Sequence, residues 1–286
     1  MVWGLMALLV GAVFATYWRL PAKDLYNTSV EGLAGGAGRA LVQTNFPSVS
    51  LVAIALVLIA VTVLPSKAWW IAGPAIALCL VTAWPGQVRQ SDLDARPVNV
   101  IPALGVALAL VLTVWATRRA GRAFAPSLPG DPARIALGAV VVVLSAPWVA
   151  AELGFYLGNA VFLTSRVVTE SDGARAAVHL GHHHGLDGTV LVLFALLLSR
   201  VRLADVRLAT ALLGYVSLMF AYGFVNFAED GWHEQVVKRG WVDWKIPSAL
   251  LPRLHWIWLV TLGLTVLAYV VFRFERRAAS SGDNPR

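Results

Sequence analysis

Long apolar segments, most of about 18 residues or more and nearly free of charged side chains, set the strongest limit on the fold of this chain. This is the length that an α-helix needs to cross the hydrocarbon core of a bilayer. Lipid offers the backbone no hydrogen-bond partner, and the segments lack the alternation of barrel strands, so the sequence predicts about eight transmembrane helices. They lie at about 2–19, 49–64, 68–85, 99–117, 135–160, 187–199, 208–227 and 254–272.

The composition excludes a free soluble protein. Only 14% of the 286 residues are charged and 58% are hydrophobic, whereas soluble domains carry about 25% charged residues. The net charge of +7 comes from basic residues that flank the apolar segments and form no long stripe. These charges are typical of membrane orientation, so we expect no nucleic-acid partner. The fold class is therefore predicted to be all-α, a single polytopic membrane domain over residues 1–286.

The distribution of Lys and Arg predicts which side of the membrane each connection faces. Twelve of them fall in about 45 positions of one set of connections, and ten fall in about 89 positions of the alternate set. The positive-inside rule places the denser set in the cytoplasm, together with both termini. The chain has 19 Arg against 4 Lys and is rich in Ala, which indicates a GC-rich bacterium and its cytoplasmic (inner) membrane. Outer loops are expected at about 21–48, 86–98, 166–187 and 228–253, and a cytoplasmic tail at about 273–286.

All six histidines fall on the predicted outer side, and carboxylates approach the same layer. Glu152 lies about 26 Å along a straight helix that starts near Arg134, close to the outer edge of a bilayer core about 30 Å thick. Tyr156 and Asn159 would continue its face outward. The seventh segment brings Asn226 to the same edge, and a continued helix would extend this face outward through Glu229 or Asp230 and then His233. We therefore expect a polar site that opens to the extracytoplasmic side, and the histidines concerned are His179, His182, His183, His184, His233 and His255.

The residue types at this layer are those that bind a transition metal when no thiolate is present. Two pairs have i,i+4 spacing, His179 with His183 and Glu229 with His233, and would each present two donors on one side of a helix. Imidazole and carboxylate suit Zn, Fe, Cu or Mn, so the sequence predicts a divalent metal site. The predicted metal-binding residues are His179, His182, His183, His184 and His233.

Five tryptophans lie between residues 230 and 258, in and just after the last predicted outer loop. Indole rings prefer the headgroup layer of a bilayer, so this segment is expected to lie on the membrane surface above the polar site. A lipid-like substrate would be accessible there.

The leading hypothesis is a metal-dependent membrane enzyme that acts on a lipid-like substrate, with Glu152 and Glu229 as catalytic carboxylates and one of them as general base. The bilayer itself is the only other partner that the sequence predicts. Two alternatives stay open at this stage. One is a transporter or accessory subunit that moves metal or protons through Glu152. The other is a structural membrane partner whose histidines are solvated or structural.

Overall fold

The computed structural model describes residues 1–20, 47–84, 97–120, 128–153, 166–170, 173–179, 183–250 and 254–282, and this part is mostly helical (77%). Short 3₁₀ turns lie at Ser66–Ala68, Val81–Ala83 and Pro97–Asn99, and a π-helical turn lies at His233–Val237. Strands β1 (Val167–Glu170) and β2 (Gly173–Ala176) form an antiparallel hairpin. The α-helices are α1 (Val2–Arg19), α2 (Pro47–Ala60), α3 (Trp69–Leu80), α4 (Val100–Ala120), α5 (Asp131–Leu144), α6 (Ala146–Glu152), α7 (His184–Leu198), α8 (Val206–Trp232) and α9 (Trp256–Gly282).

Several helical segments have the length and apolar character of membrane spans. Among the described residues, five meet both conditions, and a sixth does so if α5 and α6 count as one bent span. The apolar helices Ser48–Ala60 and His184–Leu198 are shorter. The prediction of a helical, multi-pass membrane protein is confirmed at this level, with five or six of the eight predicted spans at full length. The five are Val2–Arg19, Ser66–Ala83, Val100–Ala120, Val206–Val237 and Trp256–Arg276.

The fifth predicted segment is bent rather than straight. Helix α5 ends at Leu144, α6 begins at Ala146, and the two axes differ by 55°. Pro147 lies in the first turn of α6, where it has no N–H to donate and its ring would clash with the carbonyl four residues earlier in a continued helix. The prediction of a straight helix up to Glu152 is therefore wrong, and the height of Glu152 in the membrane stays a prediction. Tyr156 and Asn159 lie outside the described residues.

Two helices continue beyond the apolar residues that predict them. Helix α8 and its π-helical turn reach Val237, inside the predicted outer loop 228–253, and α9 reaches Gly282, inside the predicted tail. Hydropathy marks where hydrocarbon contact stops, whereas a helix continues while its backbone hydrogen bonds are made. Most of the predicted loops 21–48 and 86–98 lies outside the described residues.

Polar side chains collect at the two ends of the α7–α8 pair, with an apolar core between them. At the end where α7 stops, Arg134 Nη2 lies 2.5 Å from Glu275 Oε2, and Arg200 Nε lies 2.9 Å from Asp131 Oδ1. These basic residues belong to the connections predicted to share one side, and the structure groups them. His184 begins α7 at the opposite end. The buried core between the two ends includes Val52, Leu191, Val192, Leu212 and Val216.

Candidate functional site

His184, the first residue of α7, is held between two carboxylates of α8. Its Nε2 is hydrogen bonded to Oε2 of Glu229 and lies 3.4 Å from Oδ1 of Asp230. Both carboxylates are buried. The start of α7 lies beside the last turns of α8, which brings a histidine and two acids together from positions about 45 residues apart. An imidazole held in this way has a fixed orientation and an acceptor for its proton.

Asp230 also fixes the beginning of α7. Its Oδ2 accepts a hydrogen bond from the backbone N–H of Gly185 at 2.9 Å, one of the N–H groups that a helix start leaves without an internal partner. A Cβ at Gly185 would lie 2.5 Å from this oxygen and 2.6 Å from the ring of Trp148. Only glycine allows so close an approach, so this residue sets the distance between α7, Asp230 and α6.

His183 is buried next to His179. Its Nε2 donates a hydrogen bond to the backbone carbonyl of His179 at 2.6 Å, and the two rings stack with centroids 4.9 Å apart. Its Nδ1 lies 3.9 Å from Oδ2 of Asp230 and has no hydrogen-bond partner among the residues described. Burial lowers the pKa of His183, because the imidazolium would lose its hydration. In the neutral ring, Nδ1 is therefore the acceptor.

Glu152, the last residue of α6, is fully buried beside Tyr17 of α1. The Tyr17 hydroxyl donates a hydrogen bond of 2.5 Å to Oε2 of Glu152, and each residue is 1% exposed. The other oxygen, Oε1, has no hydrogen-bond partner in the described part of the chain. Trp148, one turn earlier on α6, packs edge-on against Phe227 of α8 at 5.6 Å and anchors the helix.

Asp187 brings α2 into the site. The Ser48 hydroxyl, near the start of α2, donates a hydrogen bond of 2.7 Å to Oδ1 of Asp187. Five helices therefore contribute polar side chains to one buried region. We call this set the histidine–carboxylate cluster; its members are Tyr17, Ser48, Glu152, His183, His184, Asp187, Glu229 and Asp230.

The π-helical turn carries the polar region beyond α8. His233, its first residue, is half-buried, and Lys238 Nζ forms a buried ion pair of 2.9 Å with Oε1 of Glu234. The spacing of Glu229 and His233 predicts two metal donors on one side of a helix. In the structure the side chain of Glu229 is bonded to His184, and joint ligation of a metal by Glu229 and His233 stays a prediction.

The prediction that His179 and His183 lie on one helix is wrong. Helix α7 begins only at His184, and His183 is extended (φ −117°, ψ 107°), because it precedes the helix as its N-cap. Their rings nevertheless meet, as described above. His182 lies outside the described residues. Among those described, no group of three or more His, Cys, Asp or Glu side chains could hold a metal ion. The metal site remains a prediction.

Two residues of the cluster, Tyr17 and Ser48, are not predicted from the sequence. Tyr17 and Ser48 lie at the ends of the first two apolar segments, next to the predicted outer layer. That position is the only signal that could have found them, and many other polar residues share it. Asp187 is not among the predicted site residues, and Asp230 enters the sequence interpretation only as an alternative to Glu229.

Comparisons with protein-family models, with curated proteins and with solved structures found no match to this chain.

Proposed function

We propose that this chain is a membrane enzyme that performs acid–base chemistry on a lipid-like substrate at the histidine–carboxylate cluster. One observation carries the proposal: His184, oriented by two carboxylates, belongs to the same buried cluster as Glu152, which has one oxygen bonded by Tyr17 and one without a partner in the described residues. An imidazole held between two carboxylates favours its protonated form, so His184 and the buried carboxyl of Glu152 are both suited to give a proton and to take it back within a reaction cycle. Glu229 acts by holding His184.

A lipid-like substrate is supported by the segment that follows the π-helical turn. Trp241 and Trp244 are exposed, and the Trp232 Nε1–H donates a hydrogen bond of 3.0 Å to the carbonyl of Trp244. Exposed indoles favour the headgroup layer. An amphiphile in that layer would present its polar group beside the cluster while its chains stay in the bilayer.

The arrangement in the membrane that fits this proposal has eight spans, counting α2, α7 and the bent α5–α6 pair, with both termini in the cytoplasm. The grouping of Arg134 and Arg200 at one end, and of the cluster at the other, supports it. We place the protein in the cytoplasmic membrane of a bacterium, with the cluster on the extracytoplasmic side.

A divalent metal, Zn, Fe, Cu or Mn, is a separate proposal that rests on the histidines. When bound, such an ion would lower the pKa of a bound water and so supply a nucleophile. The described donors do not form a set of three, and His184 is already bonded to Glu229. The acid–base chemistry proposed above does not involve the ion.

One observation favours a second candidate, a transporter or accessory subunit that moves protons or metal. The cluster contains more carboxylates than groups that can become cationic: Glu152, Asp187, Glu229 and Asp230 against His183 and His184. Carboxylates buried together cannot all be ionised without compensation, so the cluster must hold protons or a cation.

The enzyme is tested with the purified protein in lipid nanodiscs, incubated with a total bacterial lipid extract and analysed by mass spectrometry. The parent should consume at least one lipid class, and Glu152→Gln and His184→Gln should abolish this. Asp243→Asn is the matched control, because it removes an exposed carboxylate outside the cluster. A lipid profile that the parent leaves unchanged would reject the enzyme. Proton or metal uptake by proteoliposomes, lost in Glu152→Gln, would favour the second candidate.

A further inference from the structure

We infer that Glu152 is held as the uncharged carboxylic acid, with its proton on Oε1, and that Tyr17 is the positioning residue that prepares it to give this proton away. The inference rests on the acid–base function proposed above, but its test needs no substrate. Because the acid is protonated and buried, we expect Glu152 to react with a hydrophobic reagent that modifies carboxylic acids.

The surroundings of Glu152 explain why the charged form is unfavourable. The side chain is 1% exposed, so an ionised carboxylate would have almost no hydration. The charged groups that act on it most strongly are two further carboxylates, Asp187 of α7 and Asp230 of α8. Tyr17 of α1 is a neutral donor. The groups that act most strongly on Glu152 are therefore two acids and a phenol, whereas His184 of the same cluster is bonded to Glu229.

The hydrogen bond decides which oxygen carries the proton. The Tyr17 hydroxyl donates to Oε2, which is consequently the acceptor oxygen of the acid. The proton then belongs on Oε1, the oxygen without a hydrogen-bond partner in the described residues. A buried O–H that lacks an acceptor is free to turn toward a substrate atom or a water.

The proton transfer is a balanced step. The O–H bond at Oε1 breaks, the proton bonds to a lone pair of the acceptor, and Glu152 is left as a carboxylate. Tyr17 keeps its hydrogen bond to Oε2 throughout, and a hydrogen bond to an ionised acceptor is about twice as strong as a neutral one. Tyr17 therefore stabilises the product of the transfer more than the acid, which makes Glu152 a readier donor.

The test uses dicyclohexylcarbodiimide on the full chain in nanodiscs, with peptide mass spectrometry to locate the label. The reagent takes up the proton of a carboxylic acid at nitrogen while the carboxyl oxygen bonds to its central carbon, so buried protonated acids react and carboxylates do not. We expect Glu152 to be labelled at neutral pH and the label to decline at alkaline pH. In Tyr17→Phe, the pH of half-labelling should rise by about one unit, because the carboxylate loses a hydrogen bond.

Tyr215→Phe is the matched control. Tyr215 also donates a hydrogen bond, but to the backbone carbonyl of Leu51 at 2.8 Å, so this variant should keep the parent labelling profile. If Tyr17→Phe does not fold, the infrared difference between the parent and Glu152→Gln supplies a second measurement, and it should contain the C=O stretch of a protonated carboxyl. An unlabelled Glu152, a missing carboxyl band or a Tyr17→Phe profile equal to the parent's would overturn the inference. If Glu152 is labelled as expected but no lipid is converted, the proposed enzyme activity is rejected, while the inference about Glu152 and Tyr17 stands.

Discussion

A Cβ atom at Gly188 of α7 would lie 2.5 Å from the carbonyl oxygen of Gly223 of α8, so the two helices meet backbone to backbone at this point. Small residues permit such close crossings of membrane helices. Gly188 lies one turn after His184, and Gly223 lies less than two turns before Glu229. The close crossing therefore holds α7 and α8 at the distance where the His184–Glu229 bond forms.

Gly188→Ala should destabilise the protein by about 1–3 kcal/mol, because the added methyl group forces the helices apart. Thermal unfolding in detergent micelles measures the loss. Gly214→Ala, also on α8, is the matched control, since a Cβ there meets nothing within 4 Å. Alanine favours a helix over glycine by up to about 1 kcal/mol, so this variant should be as stable as the parent or more so. Equal losses in the two variants would disprove the close crossing.

The bond between His184 and Glu229 predicts non-additive stability changes. His184→Gln and Glu229→Gln should each cost about 1–3 kcal/mol, because each leaves a buried polar partner unpaired. The double variant should lose less than the sum of the two. Chemical denaturation of the four proteins gives the coupling energy. Arg134→Gln combined with His184→Gln is the control, because these residues lie at opposite ends of the helical bundle and their effects should add.

The orientation can be tested by cysteine labelling. Cys79 is buried and is the only cysteine of the chain, so Cys79→Ser gives a clean background. A membrane-impermeant maleimide added to intact spheroplasts should label Ala174→Cys, on the exposed hairpin, and should label Arg202→Cys only after lysis. Labelling in the reverse order would place the cluster on the cytoplasmic side.

The metal proposal predicts a loss of bound ion from two substitutions. In protein purified without a histidine tag, His183→Ala and His233→Ala should each lower the metal content measured by elemental analysis. His255→Ala should lower it less, because His255 is exposed at the start of α9. Stoichiometric metal in the double variant would exclude these histidines as ligands. A parent protein purified without metal would reject the metal proposal and leave the acid–base enzyme and the proton-moving subunit as candidates.

The sequence predicts at which end of the helical bundle the site lies, but it does not predict which side chains contact each other there. Apolar length and the distribution of basic residues are enough to expect His184, Glu152 and Glu229 at one end of the bundle, and the structure brings them there. Which partners meet depends on helix crossings such as Gly188 with Gly223, which no local pattern encodes. Tyr17 is found only from its hydrogen bond to Glu152 of α6, 135 residues away along the chain.

Backbone details show a second limit. The bend before Pro147 follows from the chemistry of proline, yet hydropathy treats residues 135–160 as one apolar stretch. The i,i+4 spacing of His179 and His183 suggests a helix, but α7 begins only at His184. A capping carboxylate from another helix, Asp230, decides that start, and a pairing of this kind becomes visible only in three dimensions.

The apolar core between the two charged ends has an electrical consequence. Leu191, Val192, Leu212 and Val216 are buried with apolar neighbours in the described part of the chain, and an ion passing between them would have to shed its hydration. In the proposed orientation, this layer would insulate the cluster from the far face of the membrane. The proposed acid–base site could then operate at one surface of an energised membrane without dissipating the proton gradient across it. Any transport through the chain would need this layer to open and close in alternation.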